Sequence, residues 1–242
     1  MVRTLDAGAD KPLDFVTAKD EPNPALGVRG YRTSLAHPEV LEDQLAAIAA
    51  AAKAEDAEVW VMAPMIATPD EALDFASRCH GHGLAKVGVM IETPAAAIMA
   101  NEIFAQVDFV SLGTNDLTQY TMAADRSLGS LATLNDPWQP SVLRLIRGVC
   151  DAGTTSAKPV GVCGEAAADP LLAVVLVGLG VSSLSMSPRA RSAVASHLRG
   201  VTQRQCQEAA AAACETRTAA SARRAALSAL AAFSDKRPGN NP

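Results

Sequence analysis

An amide and a carboxylate follow a short apolar run near the middle of the chain, where a β-strand is expected to end. The run Val107–Val110 leads through Ser-Leu-Gly-Thr to Asn115 and Asp116. In α/β folds, ligands bind beyond the carboxyl ends of the strands, where polar side chains face solvent on a rigid backbone. The Asn115 amide offers two donors and an acceptor, and the Asp116 carboxylate is a hard ligand suited to Mg²⁺. The alternative is an Asx cap on the following helix, which requires no ligand.

Other expected strand ends carry side chains that could do related chemistry. Arg3 lies in the first apolar run, which leads through Asp6 and Gly8 to Asp10-Lys11, and its guanidinium could bind a phosphate or carboxylate through two parallel hydrogen bonds. Glu92 precedes a helix start, so it is either a dipole partner or, together with Asp116, a ligand of a shared divalent cation. Cys163 lies between Gly161 and Gly164, so it is either an inert apolar cysteine or, since the glycines allow close approach of a ligand, a catalytic thiol. Arg126 is a further guanidinium, with a surface salt bridge as its alternative reading.

Short apolar runs alternate with longer helical segments along the whole chain. The expected strands are Val2–Leu5, Glu58–Met62, Val87–Ile91, Phe109–Leu112, Pro159–Cys163 and Ser183–Met186. Most are followed by a helix start, namely the capping box Thr68-Pro69-Asp70-Glu71 and the cap-then-proline pairs Thr93-Pro94, Asp169-Pro170 and Ser187-Pro188. This βα alternation predicts an α/β protein with a parallel sheet covered by helices. Six strands leave two architectures open, an open doubly wound sheet or a TIM-type (β/α)8 barrel that is incomplete at its N-terminus.

The domain organisation is read from the change in composition near residue 202. We expect a partial barrel over residues 1–202, a long Ala-rich helix or helix pair over residues 203–233 that packs on it, and a disordered tail over residues 234–242. The most apolar stretch, Leu171 to Val181, is too short to cross a bilayer and is expected to be a buried helix.

Composition narrows the classes of partner. The chain has 242 residues, 49% of them hydrophobic, and a net charge of −5, so a general attraction to nucleic acid or acidic lipid is not expected. Its five cysteines show no zinc-type spacing and are read as reduced thiols. Without an apparent signal peptide or spanning segment, we expect a cytoplasmic protein with no membrane insertion.

Six motifs, taken together and in this order, resemble a known family. They are Arg3–Lys11 (RTLDAGADK), Gly27–Arg32 (GVRGYR), Val89–Ala96 (VMIETPAA), Gly113–Tyr120 (GTNDLTQY), Ala124–Arg126 (ADR) and Val162–Asp169 (VCGEAAAD). They closely resemble the phosphoenolpyruvate-binding barrel of Enzyme I, the phosphoenolpyruvate-protein phosphotransferase family of the bacterial sugar phosphotransferase system. The similarity runs from about Arg3 to Arg199. It implies the incomplete barrel rather than the doubly wound sheet.

The resemblance also implies roles for the strand-end residues. Arg3 and Arg126 would hold the phosphate and carboxylate of phosphoenolpyruvate, and Asn115 and Asp116 would contribute from their loop. Glu92 and Asp116 would be the Mg²⁺ ligands.

Two further roles follow from the same resemblance. Arg29, or alternatively Arg32, matches another basic position near the substrate. Cys163 would be the acid that protonates the methylene carbon of the enolate, which gives pyruvate.

The family pattern has parts that this sequence does not show. Enzyme I proteins also carry a domain with the phosphorylated histidine, a domain that docks the phosphocarrier protein, and two further barrel strands. We therefore expect a phosphotransferase module that is inactive as an isolated chain, forms a homodimer, and depends on a histidine-bearing domain and the phosphocarrier protein as partners. The alternatives are a non-catalytic module that binds phosphoenolpyruvate or pyruvate or supports dimerisation, and an inactive remnant.

Overall fold

The computed structural model of the protein describes residues 1–17 and 20–234. Within these residues the strands are β1 (Val2–Arg3), β2 (Trp60–Ile66), β3 (Lys86–Ile91), β4 (Phe109–Gly113), β5 (Val160–Cys163) and β6 (Ser183–Ser185). The helices are α1 (Thr33–Ala36), α2 (Pro38–Ala54), α3 (Pro69–Gly81), α4 (Pro94–Ile98), α5 (Ala100–Phe104), α6 (Thr114–Met122), α7 (Pro140–Thr155), α8 (Glu165–Ala168), α9 (Pro170–Gly178), α10 (Pro188–Arg199), α11 (Gln203–Cys214) and α12 (Ala219–Ser234). Three 3₁₀ turns lie at Pro24–Leu26, Gly30–Arg32 and Gly129–Leu131.

The strand order distinguishes the two architectures that the sequence left open. The strands follow one another in the sheet in chain order, from β1 to β6, and the pairs β1–β2, β2–β3 and β5–β6 are parallel. A doubly wound sheet reverses its strand order at a switch point. The sequential order is that of a (β/α) barrel, so the predicted incomplete barrel is confirmed.

The chain forms two compact units, a first unit of residues Met1–Ser111 and a second unit of residues Leu112–Pro242. In the first unit, β2 pairs with β1 at Val61 opposite Val2 and with β3 at Trp60 opposite Lys86. The core of this unit contains Phe75 of α3 together with side chains of β2 and β3 that are almost fully buried. The division of the chain into a barrel and a C-terminal segment stays a prediction.

A β-bulge makes β2 longer than predicted. The expected strand ends at Met62, before Pro64, because proline lacks the N–H that a ladder requires. In the structure β2 continues to Ile66 across a shift in pairing between Ala63 and Ile66, and Met65 has a φ of +58°. The bulge carries the strand past the proline, because its extra residues are left out of the ladder.

Helix packing in the second unit follows from the buried helix α9. Six consecutive residues of α9, from Leu171 to Leu176, are buried, which confirms the buried helix predicted there. The Ala-rich segment is a pair of helices, α11 and α12, and both contact α9. Arg144 of α7 donates from Nε to the Cys214 carbonyl at 2.8 Å and so fixes the end of α11.

Most of the predicted helix starts have the expected caps. Thr68 forms a complete capping box with Glu71, Thr93 accepts from the Ala96 amide, and Asp169 accepts from the first amides of α9. Ser187 occupies the N-cap position of α10, but its side chain makes no cap hydrogen bond. The predicted tail falls largely on residues 235–242, which lie outside the described residues.

In the part of the chain that the structure describes, no helix is both long enough and apolar enough to cross a bilayer.

Candidate functional site

Glu92, which follows β3 in the first unit, is a buried carboxylate with a defined backbone partner. Its side chain is 2% exposed, and its Oε2 accepts a hydrogen bond from the Met65 amide at 2.8 Å. Met65 is the residue with positive φ in the β2 bulge. The two observations together show that Glu92 is fixed in place by the backbone of the neighbouring strand.

Arg3 and Arg29 of the first unit lie around the buried carboxylate of Asp6. The Arg3 guanidinium lies 3.7 Å from Asp6 Oδ2, and the Lys11 ammonium donates to the same oxygen at 2.9 Å. Arg29 Nε lies 3.4 Å from Asp6 Oδ1, while its NH1 lies 3.4 Å from Asp10 Oδ2. We call the group Arg3, Asp6, Asp10, Lys11 and Arg29 the basic cluster.

The positive charges around Asp6 lower the pKa of its carboxyl group. Burial alone would raise the pKa of its carboxyl group, because the charged form is poorly solvated. The Lys11 hydrogen bond and the charges of Arg29 and Lys11 act in the opposite direction, and the pKa of Asp6 lies below its ordinary value. The cluster therefore holds Asp6 as an anion at neutral pH.

The sequence left Arg29 and Arg32 as alternatives for a substrate-side position. Arg29 belongs to the basic cluster, and its side chain is 1% exposed. Arg32 has a side chain that is 36% exposed, lies 3.7 Å from Glu71 Oε1 of α3 and donates to the Gly27 carbonyl. The contacts of Arg29 thus connect it to the same group as Arg3, whereas the contacts of Arg32 connect it to α3 and its own loop.

In the second unit, Asn115 and Asp116 lie in the first turn of α6. The N-cap of that helix is Gly113, and no side chain makes a cap hydrogen bond there. The alternative reading of the Asn-Asp pair as an Asx cap is therefore wrong. The helix starts directly at the end of β4, so both side chains emerge at a strand end without an intervening turn.

Arg126 and Asp116 are neighbours in the second unit. Arg126 NH1 lies 3.8 Å from Asp116 Oδ2, and the side chain of Asp116 is 8% exposed. The Arg126 amide donates to Gln119 Oε1 at 3.0 Å, which fixes the backbone that carries the guanidinium. Arg126 is 38% exposed, so part of its guanidinium faces solvent.

Cys163 ends β5 beside the start of α6. Its Sγ donates to the Leu112 carbonyl at 3.5 Å, and the Thr114 hydroxyl donates to the Cys163 carbonyl at 3.2 Å. Gly164 has a φ of +99°, and a Cβ on it would lie 3.3 Å from Asn115 Oδ1. A glycine at this position therefore permits the close approach of Asn115 to the cysteine loop.

The other cysteines differ from Cys163 in their exposure. All four are buried, and burial raises the pKa of Cys79 and Cys150 to about 12. Cys163 is only partly buried. Among the five thiols, Cys163 is therefore the one that combines a strand-end position with access to solvent.

The structure brings some predicted site residues together and leaves others in separate units. Arg3 and Arg29 share the basic cluster, while Asp116 lies beside Arg126 and Asn115 lies beside Gly164, which follows Cys163. Glu92 belongs to the first unit and Asp116 to the second. Among the described residues, no group of three or more His, Cys, Asp or Glu side chains could hold a metal ion.

Two residues that contact the predicted site residues, Lys11 and Thr114, were not predicted from the sequence. Lys11 lies in the first quoted motif, but its spacing from Arg3 does not reveal that both contact one carboxylate. Thr114 lies beside the Asn-Asp pair, and its bond to the Cys163 carbonyl joins segments that are 49 residues apart.

A family model described as "PEP-utilising enzyme, PEP-binding domain" matches residues 1–203. The chain belongs to this family. The match covers well over half of the sequence and includes all six motifs. The resemblance to Enzyme I drawn from those motifs is confirmed.

Two similar proteins carry the name phosphoenolpyruvate-protein phosphotransferase. The protein from Streptomyces coelicolor is 54% identical over 231 residues, which cover 95% of this chain and 42% of that protein. The protein from Haloferax volcanii is 43% identical over 212 residues, which cover 81% of this chain and 38% of that protein. The chain thus spans less than half the length of these relatives.

A solved structure gives independent support for the fold. A citrate lyase from Burkholderia xenovorans matches with a TM-score of 0.51 at 17% identity, over 82% of this chain and 70% of the lyase chain. At this identity the likeness concerns the fold alone, and it agrees with an incomplete (β/α) barrel.

Proposed function

We propose that this PEP-binding domain is the phosphoenolpyruvate-binding and pyruvate-forming module of a phosphoenolpyruvate-protein phosphotransferase. The observation that carries the proposal is the match of residues 1–203 to the PEP-binding domain family, with strand-end side chains suited to an anionic substrate. The phosphoryl acceptor would be a histidine on a domain outside this chain. The whole reaction would be the first step of sugar uptake, with the phosphocarrier protein as the next acceptor and a homodimer as the working assembly.

Arginine and amide side chains would bind the substrate. Arg3 and Arg126 are each partly exposed and each lie beside a carboxylate that keeps the guanidinium in place. A guanidinium binds a carboxylate or phosphate through two parallel hydrogen bonds, so these two residues suit the two anionic groups of phosphoenolpyruvate. Asn115, next to Gly164, would donate from its amide. Arg29 would act from within the basic cluster.

The donor chemistry of Glu92 and Asp116 fits Mg²⁺. Both are buried carboxylates that supply hard oxygen ligands, and Mg²⁺ commonly takes one or two protein carboxylates and completes its shell with water and substrate phosphate. When bound, the ion would neutralise charge on the transferring phosphoryl group. The Met65 amide donates to Glu92 Oε2 and so fixes the position of this carboxylate.

Cys163 would supply the proton that completes pyruvate. When the bond between phosphorus and the enol oxygen breaks, the phosphoryl group passes to the histidine and the enolate of pyruvate is left. The Cys163 S–H bond then breaks, its proton forms a C–H bond at the methylene carbon, and the thiolate takes a proton from water afterwards. The Thr114 bond to the Cys163 carbonyl would keep the thiol in position during this step.

Neutral replacements of the two carboxylates test the metal part of the proposal. Glu92→Gln keeps an oxygen that accepts from the Met65 amide, and Asp116→Asn is close to isosteric. Each change is expected to weaken Mg²⁺-dependent phosphoenolpyruvate affinity about thirtyfold or more, because the proposed ion would lose an anionic ligand. Calorimetric titration of phosphoenolpyruvate with and without Mg²⁺ measures the effect.

The matched control is Glu102→Gln, which changes an exposed glutamate on α5. The phosphoenolpyruvate affinity of Glu102→Gln in the presence of Mg²⁺ should equal that of the unchanged protein. If Glu92→Gln and Asp116→Asn both bind with unchanged affinity in the presence of Mg²⁺, the proposed metal ligands are wrong.

A further inference from the structure

The three cations of the basic cluster differ in how far they reach solvent. Arg29 has a side chain that is 1% exposed, whereas Lys11 is 37% exposed and Arg3 is 44% exposed. Arg29 is held by two carboxylates, Asp6 and Asp10. Lys11 and Arg3 are therefore the members of the cluster with the most surface available to an incoming anion.

Lys11 and Arg3 also converge on a single atom. Lys11 Nζ donates to Asp6 Oδ2 at 2.9 Å, and Arg3 NH1 lies 3.7 Å from the same oxygen. An ammonium group has three N–H donors and a guanidinium has five, so both retain donors beyond those directed at Asp6. Asp6 Oδ2 thus lies beside two partly exposed cations that can both donate to an incoming anion.

The backbone around Lys11 is fixed by a tight turn. The Lys11 amide donates to the Gly8 carbonyl at 2.9 Å, and the Gly8 amide donates back to the Lys11 carbonyl at 3.3 Å. The backbone of Gly8 also forms an isolated antiparallel β-bridge with Arg29. A Cβ on Gly8 would lie 2.9 Å from the Arg29 side chain. The turn therefore holds the backbone of Lys11 close to Arg29 and to Asp6, the carboxylate that both side chains contact.

We propose that Lys11 is an additional substrate-binding residue, which together with Arg3 binds the phosphate group of the anionic substrate. Asp6 positions both cations, and the Gly8 turn holds Lys11 beside them. The proposal rests on the proposed function for the identity of the substrate. It adds Lys11 to the substrate-binding residues of that function. Neither the sequence motifs nor the proposed metal and proton-transfer steps assigned a role to Lys11.

The test compares a neutral and a charged replacement of Lys11 in the full chain. Calorimetric titrations with phosphoenolpyruvate and with inorganic phosphate are run in the presence of Mg²⁺. Lys11→Met is expected to weaken phosphoenolpyruvate affinity about tenfold or more, because a hydrogen bond to a charged group is lost. Lys11→Arg keeps the positive charge, and its phosphoenolpyruvate affinity should stay within about threefold of that of the unchanged protein. Lys53→Met, on an exposed lysine of α2, is the matched control and should have no effect.

Thermal unfolding of each variant confirms that it is folded, and Lys11→Gln serves as a second neutral variant. Affinity of folded Lys11→Met or Lys11→Gln equal to that of the unchanged protein would overturn the assignment of Lys11 and leave the proposed function intact. Failure of Lys11→Arg to retain affinity would also overturn it. Binding of inorganic phosphate that depends on Lys11, without binding of phosphoenolpyruvate, would support Lys11 and contradict the proposed function. Binding of neither compound by the unchanged protein would overturn both.

Discussion

Replacement of Cys163 by Ala is expected to abolish the exchange of pyruvate methyl protons with solvent while phosphoenolpyruvate binding is retained. The step that protonates the enolate runs in reverse when the Cys163 thiolate removes a methyl proton from pyruvate. This half-reaction requires no histidine domain, so the chain can be assayed by itself. Loss of a positioned acid or base costs about 100-fold or more. Proton NMR of pyruvate in D₂O measures the exchange directly.

Two further variants make the result specific to Cys163. Cys163→Ser retains a hydroxyl of much higher pKa and should exchange nearly as slowly as Cys163→Ala. Cys206→Ala removes a buried thiol from α11 and should exchange at the rate of the unchanged protein. Exchange by Cys163→Ala at the unchanged rate would show that the proton is carried by another group.

Replacement of Asp6 by Asn is expected to cost about 3 kcal/mol of unfolding free energy at pH 7, because buried Arg29 loses one of its counter-charges. The side chains of Asp6 and Arg29 are 2% and 1% exposed, so water cannot substitute for the lost partner. Asp10 remains near Arg29 and prevents a larger loss. Urea unfolding at pH 7 measures the difference.

The difference in unfolding free energy between the unchanged protein and Asp6→Asn is expected to depend on pH. The pKa of Asp6 is lowered in the folded chain, so its contribution is fully present above the ordinary value of 3.8 and is lost as the pH falls through the folded pKa. The gap between the unchanged protein and Asp6→Asn should therefore narrow below that value. Asp14→Asn, at an exposed aspartate, should change stability by less than about 0.5 kcal/mol. A constant gap at every pH would contradict the ionic role of Asp6.

Local signals in the sequence predicted much of the fold. The expected and observed strands agree in number within the described residues, and several of the apolar runs are followed by a cap that starts a helix. Thr68 and Asp169 illustrate this, since their side chains satisfy the first helix amides as their residue types predict. The motif order also predicted the barrel rather than the doubly wound sheet.

Other features depend on contacts between distant segments, which spacing alone does not encode. The bulge in β2 includes Met65, whose amide donates to Glu92, a residue 27 positions away. The position of Asn115 within α6 follows from a strand that ends directly in a helix. The convergence of Lys11 and Arg29 on Asp6 requires the Gly8 turn, and no periodic pattern marks it.

A calorimetric titration of the purified chain with phosphoenolpyruvate, with and without Mg²⁺, tests whether this chain forms a substrate site. We expect saturable binding with one site per chain that requires the metal. A folded, monodisperse sample that shows no heat of binding in either condition would contradict it, because the strand ends of this chain would then not form the proposed site.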